Sequence, residues 1–339
     1  MNLKELEQIA HKLVVNHRGI LAADESTSTI EKRFKSIGVE NTEEHRRAYR
    51  EMLFTTPGVE KFISGVIMYD ETIRQKTKAG VPFSELQAKL DIVPGIKVDK
   101  GVKTLPGSTA EKITEGLDGL AERLQEYHKL GARFAKWRAV IDIGAGIPTA
   151  YCIRANAQAL ARYAALCQEH GLVPIVEPEV LMDGAHDLPR CEEVTSETLA
   201  VVFQELANHR VALEGMLLKP NMVITGMKSS KQASVEEVAQ ATVKVLKRFV
   251  PAAVPGIVFL SGGQSDVVAT AHLNAMNAIG PMPWKLSFSY GRALQHAALE
   301  AWAGKEANVE AGQKAFHHRS QCNSAACAAR YNASMEKAA

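Results

Sequence analysis

The sequence predicts an α/β fold: a single (β/α)8 barrel with one helix before it, and one helix and a mobile tail after it. Two observations lead there. Eight short apolar runs recur along the chain, each ending in polar or glycine residues, and helical patterns lie between them. Continuously apolar strands alternating with helices imply a parallel sheet covered on both faces, and eight such units close into a barrel. Six or seven units would fit an open doubly wound sheet, the structural alternative. No GxGxxG follows the first run, so that alternative lacks its usual support. The 339 residues suit one barrel, so 1–339 is expected as one domain, with 307–339 as the C-terminal helix and tail.

The runs come in this order. Gly19 to Ala23 ends in Asp24-Glu25-Ser26, and Phe62 to Tyr69 ends in Asp70-Glu71. Ile92 to Asp99 contains Lys97, and Phe134 to Val140 contains Lys136 and Arg138. Val173 to Val176 ends in Glu177-Pro178-Glu179, and Met216-Leu217-Leu218 leads into Lys219-Pro220. Ile257 to Leu260 ends in Ser261-Gly262-Gly263, and Leu286 to Tyr290 contains Ser289 and leads into Gly291-Arg292. Helical spacing of apolar residues covers 111–130, 155–170, 194–208 and 235–249. Gly131 and Gly171 stand where helices end in a C-terminal glycine.

Composition narrows the function classes. Apolar residues make up 46% and the formal net charge is +2, so nothing global points to nucleic acid or an anionic membrane. Five scattered cysteines without a CxxC pair read as reduced thiols of a cytoplasmic protein, neither a disulfide framework nor a structural zinc site. The N-terminal residues alternate charge and apolar groups like a surface helix, unlike a signal or transit peptide, and no apolar run reaches membrane-spanning length.

Charges cluster at the run ends. Asp24, Lys97, Lys136, Arg138, Glu177, Glu179 and Lys219 come from five separate runs, and in a barrel those ends ring the mouth where active sites are built. A structural ion-pair layer is the plainer explanation of one or two of them, but not of the set. Lys219 follows three apolar residues; desolvation and a nearby cation, for which Lys136 is the candidate, would favour its neutral amine, a nucleophile for carbonyls. Alone, Lys219 reads equally as a lysine snorkelling from a strand end. Glu177 and Glu179 lie two apart, so on a strand they share a face, and their mutual repulsion is expected to raise at least one pKa. A carboxylate pair could instead bind a divalent cation, but the histidines fall mostly in helices and loops, with only His186 and His272 as loose ends; no metal and no cofactor are expected. Ser261-Gly262-Gly263 and the Gly291-Arg292 turn on the neighbouring strand form a candidate phosphate cradle, and Lys97 with Arg138 could hold a second phosphate.

The segments Gly19–Thr27, Gly95–Gly101, Phe134–Arg138, Val173–Glu179, Leu217–Met222, Phe259–Gln264 and Phe288–Gln295 together closely resemble class I fructose-bisphosphate aldolases, in order, from about residue 3 to about residue 327. The resemblance implies a metal-independent lyase of glycolysis and gluconeogenesis that acts on sugar phosphates and is usually a homotetramer. It implies a Schiff base on Lys219, acid–base work by Glu177, proton removal from the carbon-4 hydroxyl by Asp24, electrostatic help from Lys136 and orientation by Glu179. It places Ser261, Gly262, Ser289, Gly291 and Arg292 around the carbon-1 phosphate, and Lys97, Arg138 and Arg33 near the other. Two departures stand out. Ser28 and Thr29 replace a glycine and a serine of animal members, and the last tyrosine is Tyr331, where animal members end in a catalytic tyrosine. Family members also bind cytoskeletal and adaptor proteins, so a non-catalytic binding role is the alternative of another class. Among enzymes the alternative is a Schiff-base aldolase acting on another phosphorylated ketose.

Overall fold

The computed structural model describes residues 2–338; Met1 and Ala339, the two ends of the expected domain, lie outside the described residues. Eight parallel strands close into a barrel in chain order: β1 (Gly19–Ala23), β2 (Ile63–Met68), β3 (Val93–Lys97), β4 (Phe134–Ile141), β5 (Val173–Val180), β6 (Leu217–Leu218), β7 (Gly256–Phe259) and β8 (Lys285–Tyr290). β8 returns to pair with β1, pairing Ile20 with Ser289 and Leu21 with Tyr290. The open doubly wound alternative is thereby excluded.

Alternate residues of each strand separate two cores. Outward residues such as Leu21, Ala135, Trp137, Val176, Ile257 and Phe288 pack under the surrounding helices. Inward residues Ile20, Ala22, Ile67, Val93, Phe134, Val173, Ile175, Leu217 and Val258 form a separate cluster with Leu6, Ala10, Leu13 and Val14 of the first helix, α1 (Leu3–Val14). The N-terminal helix is thus a plug across the bottom of the barrel. Two glycines make room there. A methyl group on Gly95 would lie 2.2 Å from the Phe134 ring, and one on Gly65 would lie 2.5 Å from Leu13 Cδ2.

The helices Val194–Asn208 and Val235–Phe249 appear as expected, the first starting earlier, at Leu188. Gly131 and Gly171 take left-handed φ values of 104° and 74° just past their helices. The helix expected over 111–130 is confined to Leu120–Lys129. Gly116 and Gly119, at φ 127° and 64°, interrupt it. Upstream of them Lys112–Thr114 pairs with Val102–Thr104 as a small antiparallel hairpin. Glu111 is buried and accepts hydrogen bonds from the Thr149 backbone (2.7 Å) and hydroxyl (2.8 Å), which tie the hairpin to the loop after β4.

The expected terminal helix is present as Val309–Cys327, and the residues after it lie back against it. Ala333–Ala338 forms a short 3-10 turn fastened to that helix. The Glu336 carboxylate accepts two N–H bonds from Arg319, at 2.7 and 2.8 Å, and the Tyr331 hydroxyl at 2.6 Å. Arg319 is buried, and a buried guanidinium requires a counter-charge, which the tail supplies.

The packing inside the barrel is testable. Phe134→Ala should cost about 3–5 kcal/mol in chemical denaturation. Gly95→Ala should destabilise the wild type by overpacking but cost clearly less in a Phe134→Leu background; equal costs in both backgrounds would show that the ring and the glycine do not compete for space.

Candidate active site

The inward face of each strand changes character toward its C-terminal end. β5 runs Val173, Ile175, Glu177, Glu179; β4 runs Phe134, Lys136, Arg138; β3 runs Val93, Gly95, Lys97. β1 continues from Ile20 and Ala22 to Asp24, and β6 from Leu217 to Lys219. The apolar members meet the plug and the charged members form the floor of the mouth. Register sets neighbours: Lys97 lies opposite Lys136, and Arg138 opposite Glu177.

Lys219, Glu177, Lys136 and Asp24 form one continuous network. Lys219 Nζ lies 3.2 Å from Glu177 Oε1. Lys136 Nζ lies 3.3 Å from Glu177 Oε2 and 2.6 Å from Asp24 Oδ2. All four residues are buried. The Lys136–Glu177 approach is an ion-pair contact without hydrogen-bond direction, so Oε2 keeps a free lone pair. Glu179 does not join this chain; it pairs with Arg138 Nε.

The protonation pattern corrects one expectation. Repulsion between Glu177 and Glu179 was to raise a carboxyl pKa, yet Glu177 is lowered. Burial pushes it up, but the cations Lys136, Lys219 and Arg138 outweigh burial. Asp24 likewise stays ionised well below the usual carboxylate range, with burial overcome by Lys136 and Lys219. Lys136 is held above the usual lysine range, because Asp24, Glu177 and Asp99 overcome its burial.

Two candidate anion-binding regions flank the network. On one side Lys97 and Arg138 line a cavity of about 710 Å³ together with Ser26, Ser28 and Thr29. Lys97 is held by Asp99, whose Oδ1 is 2.6 Å away. Ser26 Oγ lies 3.2 Å from Ser28 Oγ and 3.0 Å from Thr29 Oγ1, so the two substituted positions place hydroxyls here. On the other side are the Ser261-Gly262-Gly263 turn and Gly291-Arg292. Gly263 takes φ 71°, and a methyl group on it would lie 2.2 Å from Met182 Cγ. A methyl on Gly262 would lie 3.1 Å from Glu179 Oε1, so the turn abuts the carboxylates. Gly291 precedes the helix Arg292–Trp302, whose N-terminal N–H groups favour anions. Ser289 is buried, and its hydroxyl has no partner among the described residues.

Arg33 is where the expectation fails. It was assigned with Lys97 and Arg138, but a methyl on Gly291 would lie 3.5 Å from Arg33 Nη2, which puts Arg33 beside the Gly291-Arg292 turn. Glu25 holds it there: this buried carboxylate also accepts from Arg50 (2.8 Å) and Gln295 (2.9 Å). Glu25 and Asp99, the anchors of these cations, were missed as site residues, although both stand in the charged endings of the first and third apolar runs.

The loose histidines have other surroundings. His272 bonds Gln264, and the ring nitrogens of His186, beside Gly184, have no partner among the described residues. A cluster of His318, Cys322 and Glu336 occurs at the tail, with both oxygens of Glu336 already bonded by Arg319.

The family model described as glycolytic fructose-bisphosphate aldolase class-I matches residues 5–339. The chain belongs to the class I fructose-bisphosphate aldolase family. The probable fructose-bisphosphate aldolase class 1 of Xanthomonas campestris pv. campestris is 59% identical over 324 residues, 95% of this chain and 97% of that one. Fructose-bisphosphate aldolase 2 of Caenorhabditis elegans is 55% identical over 328 residues, 96% and 90% of the two chains. A solved structure of the Plasmodium falciparum fructose-bisphosphate aldolase, in complex with TRAP and a small-molecule inhibitor, superposes with a TM-score of 0.96 at 52% identity, covering 97% of this chain and 96% of that one. The aldolase barrel is therefore the fold of this chain.

Lys136 carries the electrostatics of this aldolase mouth. Asp24 and Glu177, both lowered, contribute stability that is present above the unfolded carboxylate range and lost progressively as pH falls from there through their lowered folded values. Lys136→Met leaves both carboxylates buried without that cation and should cost about 3–5 kcal/mol at pH 7. The deficit should shrink as pH falls toward about 4, where the stranded carboxylates protonate. Denaturation curves at the two pH values check this; a deficit that does not change with pH would point to lost packing alone.

Proposed function

We propose that the chain reversibly cleaves fructose 1,6-bisphosphate to dihydroxyacetone phosphate and glyceraldehyde 3-phosphate through a Schiff base on Lys219. The observation that carries this reading is the buried chain Lys219–Glu177–Lys136–Asp24 on the mouth floor. Glu177, held ionised 3.2 Å from Lys219, accepts a proton from the ammonium, and the freed amine attacks the carbon-2 ketone. A proton of the attacking nitrogen moves to the former ketone oxygen, and the proton then on Glu177 goes to the resulting carbon-2 hydroxyl, which leaves as water, so the cationic imine forms with Glu177 back in its starting state. Asp24, also ionised, takes the proton of the carbon-4 hydroxyl. Electrons of the carbon-3–carbon-4 bond pass into the imine to give an enamine, and glyceraldehyde 3-phosphate departs. The enamine takes a proton at carbon 3 from solvent while Asp24 gives its proton up to solvent, and hydrolysis of the imine releases the ketone and regenerates Lys219. Lys136 favours the ionised form of both carboxylates, to which each returns after its proton transfer.

Ser261, Gly262, Ser289, Gly291, Arg292 and, by its position, Arg33 serve the carbon-1 phosphate; Lys97 and Arg138 serve the carbon-6 phosphate, with Glu179 orienting Arg138. Two separate cationic regions favour a bisphosphate over a smaller monophosphate. In this reading residues 1–339 act as one domain, assembled as a homotetramer in the cytoplasm and working in both glycolysis and gluconeogenesis. The five free, buried cysteines and an Arabidopsis thaliana relative named fructose-bisphosphate aldolase 4, cytosolic, support that location.

Borohydride trapping with dihydroxyacetone phosphate followed by mass spectrometry should place the adduct on Lys219, and Lys219→Met should abolish both trapping and cleavage. Glu177→Gln should slow turnover roughly 10²- to 10⁴-fold with the adduct still on Lys219. A label on Lys136 in the wild type would overturn the assignment.

The position of Arg33 beside Gly291 supports assigning it to the carbon-1 phosphate, and two substitutions separate the phosphates. Lys97→Ala should reduce kcat/KM for fructose 1,6-bisphosphate roughly 10- to 150-fold and leave fructose 1-phosphate nearly unaffected. Arg33→Ala should impair both substrates alike; a loss confined to the bisphosphate would return Arg33 to the carbon-6 side.

A further inference from the structure

Gln264 joins the two halves of the carbon-1 phosphate region. It follows Ser261-Gly262-Gly263 directly, and its backbone N–H donates to the Ser261 carbonyl at 3.2 Å, closing the turn. Its backbone carbonyl accepts from the Arg292 guanidinium, which also approaches Asp266 Oδ1 at 3.4 Å. One residue therefore spaces the glycine turn against the arginine.

What holds Gln264 is its side chain, which is buried. Oε1 lies 2.7 Å from His272 Nδ1, in the helix Asp266–Ala278. Nε2 is buried and has no partner among the described residues, so His272 is the amide's one polar tether among them. Burial holds the His272 imidazole down to about 4, which leaves it neutral with a single N–H at neutral pH. An amide carbonyl only accepts, so that N–H stands on Nδ1; with the amide turned over, its NH2 would donate to the Nδ1 lone pair and the tether would persist. The helix does not need this contact for its start, because Ser265 Oγ already accepts from the Val268 backbone at 3.2 Å. A buried neutral polar pair adds little net stability, but it fixes geometry where an apolar pair would leave latitude.

We propose that Gln264 and His272 are positioning residues for phosphate binding: His272 fixes the Gln264 side chain, and the Gln264 backbone sets the spacing of the Ser261–Gly263 turn and Arg292 around a phosphate monoester. This rests on the phosphate reading of that turn given above. Neither side chain touches the ligand.

The test uses the full chain and inorganic phosphate as a competitor of fructose 1,6-bisphosphate. Asparagine carries its amide nitrogen two bonds from Cβ, as histidine carries Nδ1, so His272→Asn can still reach Gln264 while His272→Leu cannot. His272→Leu should raise KM and the phosphate inhibition constant together, about 5- to 10-fold, with kcat kept within about 2-fold. Borohydride trapping with dihydroxyacetone, which has no phosphate, should be unchanged, and His272→Asn should restore phosphate affinity. Should His272→Leu not accumulate as folded protein, Gln264→Met, which removes the amide and keeps the backbone, carries the same expectation. A lowered melting temperature with unchanged phosphate affinity, or equal losses in His272→Leu and His272→Asn, would overturn the positioning role. Phosphate that fails to compete with wild type, together with an Arg292→Ala variant of unaltered KM, would instead remove the phosphate reading beneath it.

Discussion

Burying ionised groups inside a barrel is the constraint on which this molecule turns. Asp24 and Glu177 are ionised with almost no access to water, and such a state is tolerable only because Lys136 stands between them and Lys219 beyond. Removing any one member strands the others. The arrangement also suits the chemistry proposed for Lys219, since a cationic imine there would face the same Glu177 carboxylate at 3.2 Å that the lysine faces now.

Everything around the network fixes its position. The Phe134 ring and α1 fill the lower barrel, so the inward charges of β4 and β5 stand on a packed apolar floor. Outside them each cation facing the mouth has its own carboxylate: Asp99 for Lys97, Glu179 for Arg138, Glu25 for Arg33. These pairs hold long, flexible side chains in place, at the expense of some attraction for an incoming phosphate.

Most of this could be read from the chain because the barrel writes its two interiors into alternate positions. In Val173-Pro-Ile-Val-Glu177-Pro-Glu179 the inward residues turn from apolar to charged partway along, and that change marks the mouth. Four things could not be read. The stretch from Glu111 to Gly119 has helical spacing, and only the distant partners Val102–Thr104 and Thr149 turn it into a hairpin. The sign of the Glu177 shift depends on weighing burial and Asp24, which raise it, against three cations from other strands, which lower it. The side of the mouth on which Arg33 lies is decided by Glu25, Arg50 and Gln295, the last more than two hundred residues away in sequence. The tail residue Glu336 finds Arg319 across a turn that carries no motif.

The plug made by α1 has a consequence for traffic. With Leu6, Ala10, Leu13 and Val14 packed across the bottom, the barrel is a cul-de-sac: whatever enters by the mouth leaves by it. On the reading proposed above, both fragments of the sugar come and go on the side where Lys97, Arg138 and Arg292 stand, and the far end of the barrel takes no part in binding or release.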